Sequence, residues 1–141
     1  MCCRLPAGVS PSLHQQISRS LVKIGDIFPG TDVVLVLRQD GSVAYQQLVG
    51  ETETAEVISV VSSLKRAALQ LSDSLGQSEC PVLHVKGGKN IFSCYDVGPN
   101  CTLAFFTPMP EADLEIFDSS QADLMMTPIV DELKILLLGS V

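Results

Sequence analysis

Apolar residues along this chain follow two rhythms, one helical and one extended, and the switches between them mark the elements. Leu13, Ile17, Leu21, Ile24 and Phe28 recur at spacings of four, four, three and four, which is one face of a helix. Ser10-Pro11 supplies a start signal for it and Pro29-Gly30 a stop. The unbroken run Val33-Val34-Leu35-Val36-Leu37 predicts a strand covered on both faces and therefore central in its sheet. Asp40-Gly41 is a hairpin turn, because both residues tolerate positive φ, and residues 43–49 pair back as a second strand.

A second helical stretch follows the boundary at Gly50, with Thr52 or Thr54 as its cap. Val57, Val61, Leu64, Ala68, Leu71 and Leu75 alternate strictly at four and three, while Ile58, Val60, Ala67 and Leu69 widen the stripe to more than one side. Gly76 ends this helix. Residues 81–86, 90–97 and 101–107 read as three strands, joined by turns at Gly87-Gly88 and at Gly98-Pro99-Asn100. Pro108 and Pro110 break the sheet and an acidic connector, 108–119, leads to a last helix. Thr127-Pro128 can open that helix, with Ile129, Leu133, Leu136 and Leu137 as its apolar stripe; a start near Ser119 or Ser120, with Pro128 as a kink, is the alternative.

The order α-β-β-α-β-β-β-α predicts an α/β (α+β) domain: a five-stranded, mostly antiparallel central sheet with helices on both faces. We expect one domain over residues 10–138, a flexible tail over 1–9 and a short one over 139–141. The length of 141 residues suits one self-sufficient core, and 46% hydrophobic content lies on the apolar side for a monomer. Some of that apolar surface is expected to meet a partner.

Charge narrows the class of partner. The net charge is −7, and residues 101–141 hold Glu111, Asp113, Glu115, Asp118, Asp123, Asp131 and Glu132 against Lys134 alone. With no basic stripe, nucleic acid is not the expected ligand. No secretory h-region is visible, and the longest apolar run, Val33 to Leu37, is far short of a membrane span. Five cysteines (Cys2, Cys3, Cys80, Cys94, Cys101) in no metal-ligand spacing suit a reducing compartment, so the expected location is cytoplasmic. Cys94 and Cys101 flank the Gly98 turn, where they could face each other; buried thiols are the plainer reading. Cys2-Cys3 could accept acyl chains, with a bare tail as the alternative.

Catalytic groups are sparse, and we expect no catalytic residues, no cofactor and no metal. His14 and His84 adjoin no nucleophile in sequence and read as structural or surface residues. Gly87-Gly88-Lys89 lacks the spacing and the following helix of a phosphate loop. The acids of the 108–119 connector lack the spacing of a calcium loop. The strongest constellation is instead an interface. The long stripe Val57, Val61, Leu64, Ala68, Leu71 and Leu75, beside the strand residues Val82, Leu83, His84 and Val85, forms an apolar surface that a second subunit of similar shape can cover; a helix spanning a deep groove within the chain is the alternative.

The element order, the hydrophobic strand before Asp40-Gly41, the long helix and the closing helix together resemble the Roadblock family of dynein light chains and GTPase-associated scaffolds. The likeness spans about residues 10–138. Pro128-Ile129-Val130-Asp131-Glu132-Leu133-Lys134 resembles the closing helix of the family's lysosomal Ragulator branch, whereas the acidic connector departs from the family pattern. The resemblance implies a homo- or heterodimer in which the third strands pair into one continuous sheet with the long helices beside them. It further implies a non-catalytic scaffold for small GTPases or for signalling and motor complexes, reaching the endosome or lysosome surface through its partners. A longin- or profilin-like trafficking subunit, and a small thiol enzyme using Cys94 or Cys101 with a histidine, are the alternatives.

Overall fold

The structure, a computed structural model, describes residues 2–4, 11–48, 54–77, 81–98 and 101–138. Its elements are β1 (Cys2–Arg4), α1 (Pro11–Val22), α2 (Ile24–Ile27), β2 (Val33–Arg38), β3 (Val43–Leu48), α3 (Thr54–Ser74), β4 (Val82–Lys86), β5 (Asn90–Asp96), β6 (Cys101–Pro108), α4 (Glu111–Glu115) and α5 (Ser119–Leu137). One antiparallel sheet runs β1-β3-β2-β6-β5-β4. The five expected strands are its body. The sixth, β1, comes from the stretch read as a tail: Cys2, Cys3 and Arg4 pair with Leu48, Gln47 and Gln46. The candidate caps Ser10 and Thr52, the Pro99-Asn100 turn, Cys80 and the segments 5–9 and 139–141 lie outside the described residues.

Period-two alternation sorts the strand side chains onto two cores. Val34, Val36, Ile91, Tyr95, Leu103 and Phe105 pack with Ile17, Leu21, Ile24 and Phe28 of the first helices and with Met126, Ile129, Leu133 and Leu137 of α5. Leu35, Leu37, Phe92, Cys94 and Ala104 face the other way, onto Val61 of α3. The β2 run is therefore covered on both sides, and it sits between β3 and β6.

Local features add to simple alternation. At the β2–β3 hairpin Gly41 takes φ of 86°, a conformation open to glycine, and Asp40 accepts hydrogen bonds from the Ser42 amide and hydroxyl. Those bonds hold the Asp40 carboxyl below its usual range. Farther along, the register shifts between Val36 and Leu37: Val36 pairs with Tyr45 but Leu37 with Val43. This bulge lets the neighbours Ala44 and Tyr45 enter the same core. The first helix is broken at Lys23, whose amide bonds Ser20 O at 3.3 Å, so that Ile24 reaches the core from a separate short helix and Phe28 from that helix's C-cap. Finally, α5 starts at Ser119, the earlier of the two expected starts. Asp118 caps it by accepting from the Gln121 amide at 3.2 Å, and Pro128 lies inside it. Within the acidic connector, Leu114 anchors α4 to the core.

Candidate interaction surface

Among the described residues α3 is the one helix on its side of the sheet. Val57, Ile58, Val61 and Leu64 pack against the second core together with Leu83 of β4. Lys65 reaches the end of β5, its Nζ 2.6 Å from Asp96 Oδ1. Leu71 and Leu75 continue the same four-three stripe, yet they are 63% and 72% exposed. Length explains the change. A 21-residue helix spans about 32 Å, whereas the eight-residue β6 spans only about 26 Å. The last turns of α3 thus carry their sheet-facing leucines past the surface that covers the first ones. Val85 of β4 is also exposed, as are Val60 and Leu69 on the flanks of the helix.

Beside this stripe β4 ends the sheet, with no strand beyond it among the described residues. Leu83 and Val85 turn toward α3, whereas Val82 packs into the first core and His84 turns toward α5. The charged end of the strand is drawn inward as well: Lys86 Nζ donates to Leu114 O at 3.0 Å and stands over the Phe117 ring. Outward charge is the usual protection of an exposed strand edge, and this edge does not carry it.

His84 anchors a polar cluster under α5. Its Nε2 is 2.8 Å from Asp123 Oδ1, its Nδ1 is 2.8 Å from Ser93 Oγ, and the Tyr95 hydroxyl donates to the same Asp123 oxygen at 2.7 Å. A carboxylate only accepts, so Nε2 donates to it; in the neutral ring Nδ1 then accepts from Ser93. Phe117 and Tyr95 meet the imidazole edge-on. Burial, then the bond to Asp123, push the Tyr95 phenol far above its ordinary range, which keeps it a donor. The trio Ser93, His84 and Asp123 has the composition of a hydrolase triad, but Ser93 is fully buried between β4 and β6, where no substrate reaches its oxygen. Its work is to hold β4 and β5 to α5. Asp123→Ala would strand the His84 and Tyr95 donors, and a loss of about 1–3 kcal/mol is expected in urea unfolding.

Among family models and curated proteins none matches this chain. Solved structures do match along nearly its whole length. An MglB with tetrameric arrangement superposes with a TM-score of 0.75 at 13% identity, covering 96% of this chain and 98% of that one. A Roadblock/LC7 domain from Streptomyces avermitilis gives 0.66 at 14% identity, covering 89% and 97%. The chain has the Roadblock/LC7 fold. A profilin from Schizosaccharomyces pombe is more distant, at a TM-score of 0.52 and 19% identity over 90% and 97% of the two chains.

Within the Roadblock/LC7 fold the ten residues expected at an interface divide into three groups. Val57, Val61, Leu64 and Leu83 already pack within the subunit, and Ala68 is half-buried beyond them. Leu71, Leu75 and Val85 are bare. Val82 and His84 lie across the sheet, on the α5 side. Cys94 and Cys101 are both buried free thiols, as the plainer reading has it, and they do not face each other: Cys94 lies in the core under α3 and Cys101 in the core under α5. Gly87-Gly88-Lys89 is the tight turn between β4 and β5, closed by the Gly87 amide on Asn90 O at 2.8 Å.

Proposed function

We propose that this chain is a non-catalytic Roadblock-type adaptor, that it pairs with a like subunit through α3 and the β4 edge, and that the pair docks a small GTPase or a signalling or motor complex. The observation that carries this reading is the bare end of the α3 stripe, Leu71 and Leu75, on the side of the sheet where Val85 of the edge strand β4 is also exposed. A second β4 would satisfy the edge's backbone groups, and a second α3 would cover Leu71, Leu75 and Val85. Such pairing draws on apolar burial at ~25 cal/mol per Å², offset by the cost of association. Through its partners the pair would work in the cytoplasm or at the endosome or lysosome surface.

The thiol-enzyme alternative finds little support. A reactive thiol needs a lowered pKa, whereas burial pushes the Cys101 thiol up. Cys94 and His84 occupy opposite faces of the sheet. The profilin-like alternative has the lower structural similarity.

The test has two stages. Sedimentation of the full chain at micromolar concentration, alone and with candidate like subunits, should give a dimer. Immobilised dimer should then bind a small GTPase with an affinity that differs between its GDP and GTP-analogue forms. A soluble monomer in every mixture would sink the pairing; a dimer indifferent to every GTPase tried would leave pairing standing and remove the GTPase role.

A further inference from the structure

The last helix is apolar on two opposite sides. Ala122, Met126, Ile129, Leu133 and Leu137 are buried against the sheet. At 3.6 residues per turn the opposite side carries Leu124, Pro128, Asp131, Ile135 and Leu138, all exposed. Leu124, Ile135 and Leu138 are 74%, 71% and 66% exposed. Their spacing of four, three, four and three is the seam along which one helix packs beside another, interrupted only by Asp131. Pro128 has no amide hydrogen, so the Leu124 carbonyl lacks its usual donor one turn on.

Charge decides what can cover this seam. Glu111, Asp113 and Glu115 of α4 and Asp118 precede it, and Lys134 is the one base of the helix. Glu132 is already engaged by Lys23 at 3.2 Å. A second copy of the same seam, packed antiparallel, would set Asp131 against Asp131, and the net negative charge of the chain opposes an anionic membrane. A cationic surface is attracted.

We propose that the outer seam of α5 docks a helix of a partner protein whose apolar stripe is broken by a lysine or arginine opposite Asp131. The seam from Leu124 to Leu138 is ~21 Å long, about four turns of such a helix. It lies on the far side of the sheet from α3, so it remains open whether or not α3 and β4 are covered.

The test uses the full chain and a labelled helical peptide of about five turns, with leucines at the seam positions and lysine at the central one and along the flanks. A second peptide carries glutamate in place of every lysine. By fluorescence anisotropy the lysine peptide should bind, weakening as salt rises, and at least ~10-fold more tightly than the glutamate peptide. Asp131→Lys should reverse that preference, and Ile135→Asp should abolish binding of both. Both positions are exposed, so thermal melts of the variants should match that of the unaltered chain. Equal binding of the two peptides, binding of neither, or an Asp131→Lys chain with unchanged preference would overturn the proposal. So would adsorption to phosphatidylserine vesicles in place of peptide, or self-association abolished by Ile135→Asp.

Discussion

Phe105→Ala is expected to lower stability by about 3–5 kcal/mol, a large share of the 5–15 kcal/mol typical of a domain. Phe105 is fully buried in the middle of β6, paired with Val34 on one side and Ser93 on the other. Its ring meets Phe28 edge-on at 4.9 Å and stacks on Tyr95 at 6.0 Å. Removing it opens a cavity where β6, β5 and the first helices converge, and a sheet cannot collapse into that space as a loop could. The neighbour Phe106 points toward α3 and is only half-buried, so Phe106→Ala should cost less. Urea unfolding followed by circular dichroism measures both, and a Phe105→Ala loss below that of Phe106→Ala would contradict the assignment of the two faces.

The paired substitution Leu71→Asp with Leu75→Asp is expected to dissociate the dimer proposed above and leave the single chain folded. Each leucine is exposed in the lone subunit, so the change removes little from the monomer's own core. Covering both would contribute about 3–6 kcal/mol, so the dissociation constant should rise by ~10²–10⁴. Leu64→Asp makes the instructive contrast. Leu64 occupies the same stripe but packs against the second core, and a charge there should unfold the subunit itself. Sedimentation and thermal melts on the same samples separate the two effects. Dimers that survive both aspartates would mean that α3 does not form the contact.

Much of this arrangement was written in the periodicity. Val33 to Leu37 reads as a strand covered twice, and β2 is one; the α3 stripe and the Gly87-Gly88 turn were equally plain. Short pieces were not. Cys2–Arg4 is too brief to show a period, and α4 is held by Leu114 alone. The bulge that turns Ala44 and Tyr45 to one side depends on pairing with β2, which no local pattern reports. Strand parity could have separated Leu83 and Val85 from Val82 and His84, since alternate residues face opposite sides. The Asp123–His84 contact joins positions 39 residues apart and leaves no local trace. The second stripe on α5 is also visible in the sequence, but only once the helix is read from Ser119 through Pro128.

The tied-back Lys86 bears on the life of the chain before it meets the partner proposed for it. With its ammonium group occupied at Leu114, the β4 edge offers any extended segment a template on which to add. An orphaned copy should therefore be a substrate for chaperones and proteases, and overproduction without its mate should yield aggregates rather than soluble monomer. Lys86→Glu should ease this, because a carboxylate is repelled by the Leu114 carbonyl and turns out to solvent beside the edge. A lysine at Val85, which points out on the α3 side, should restore solubility to the lone chain while preventing assembly.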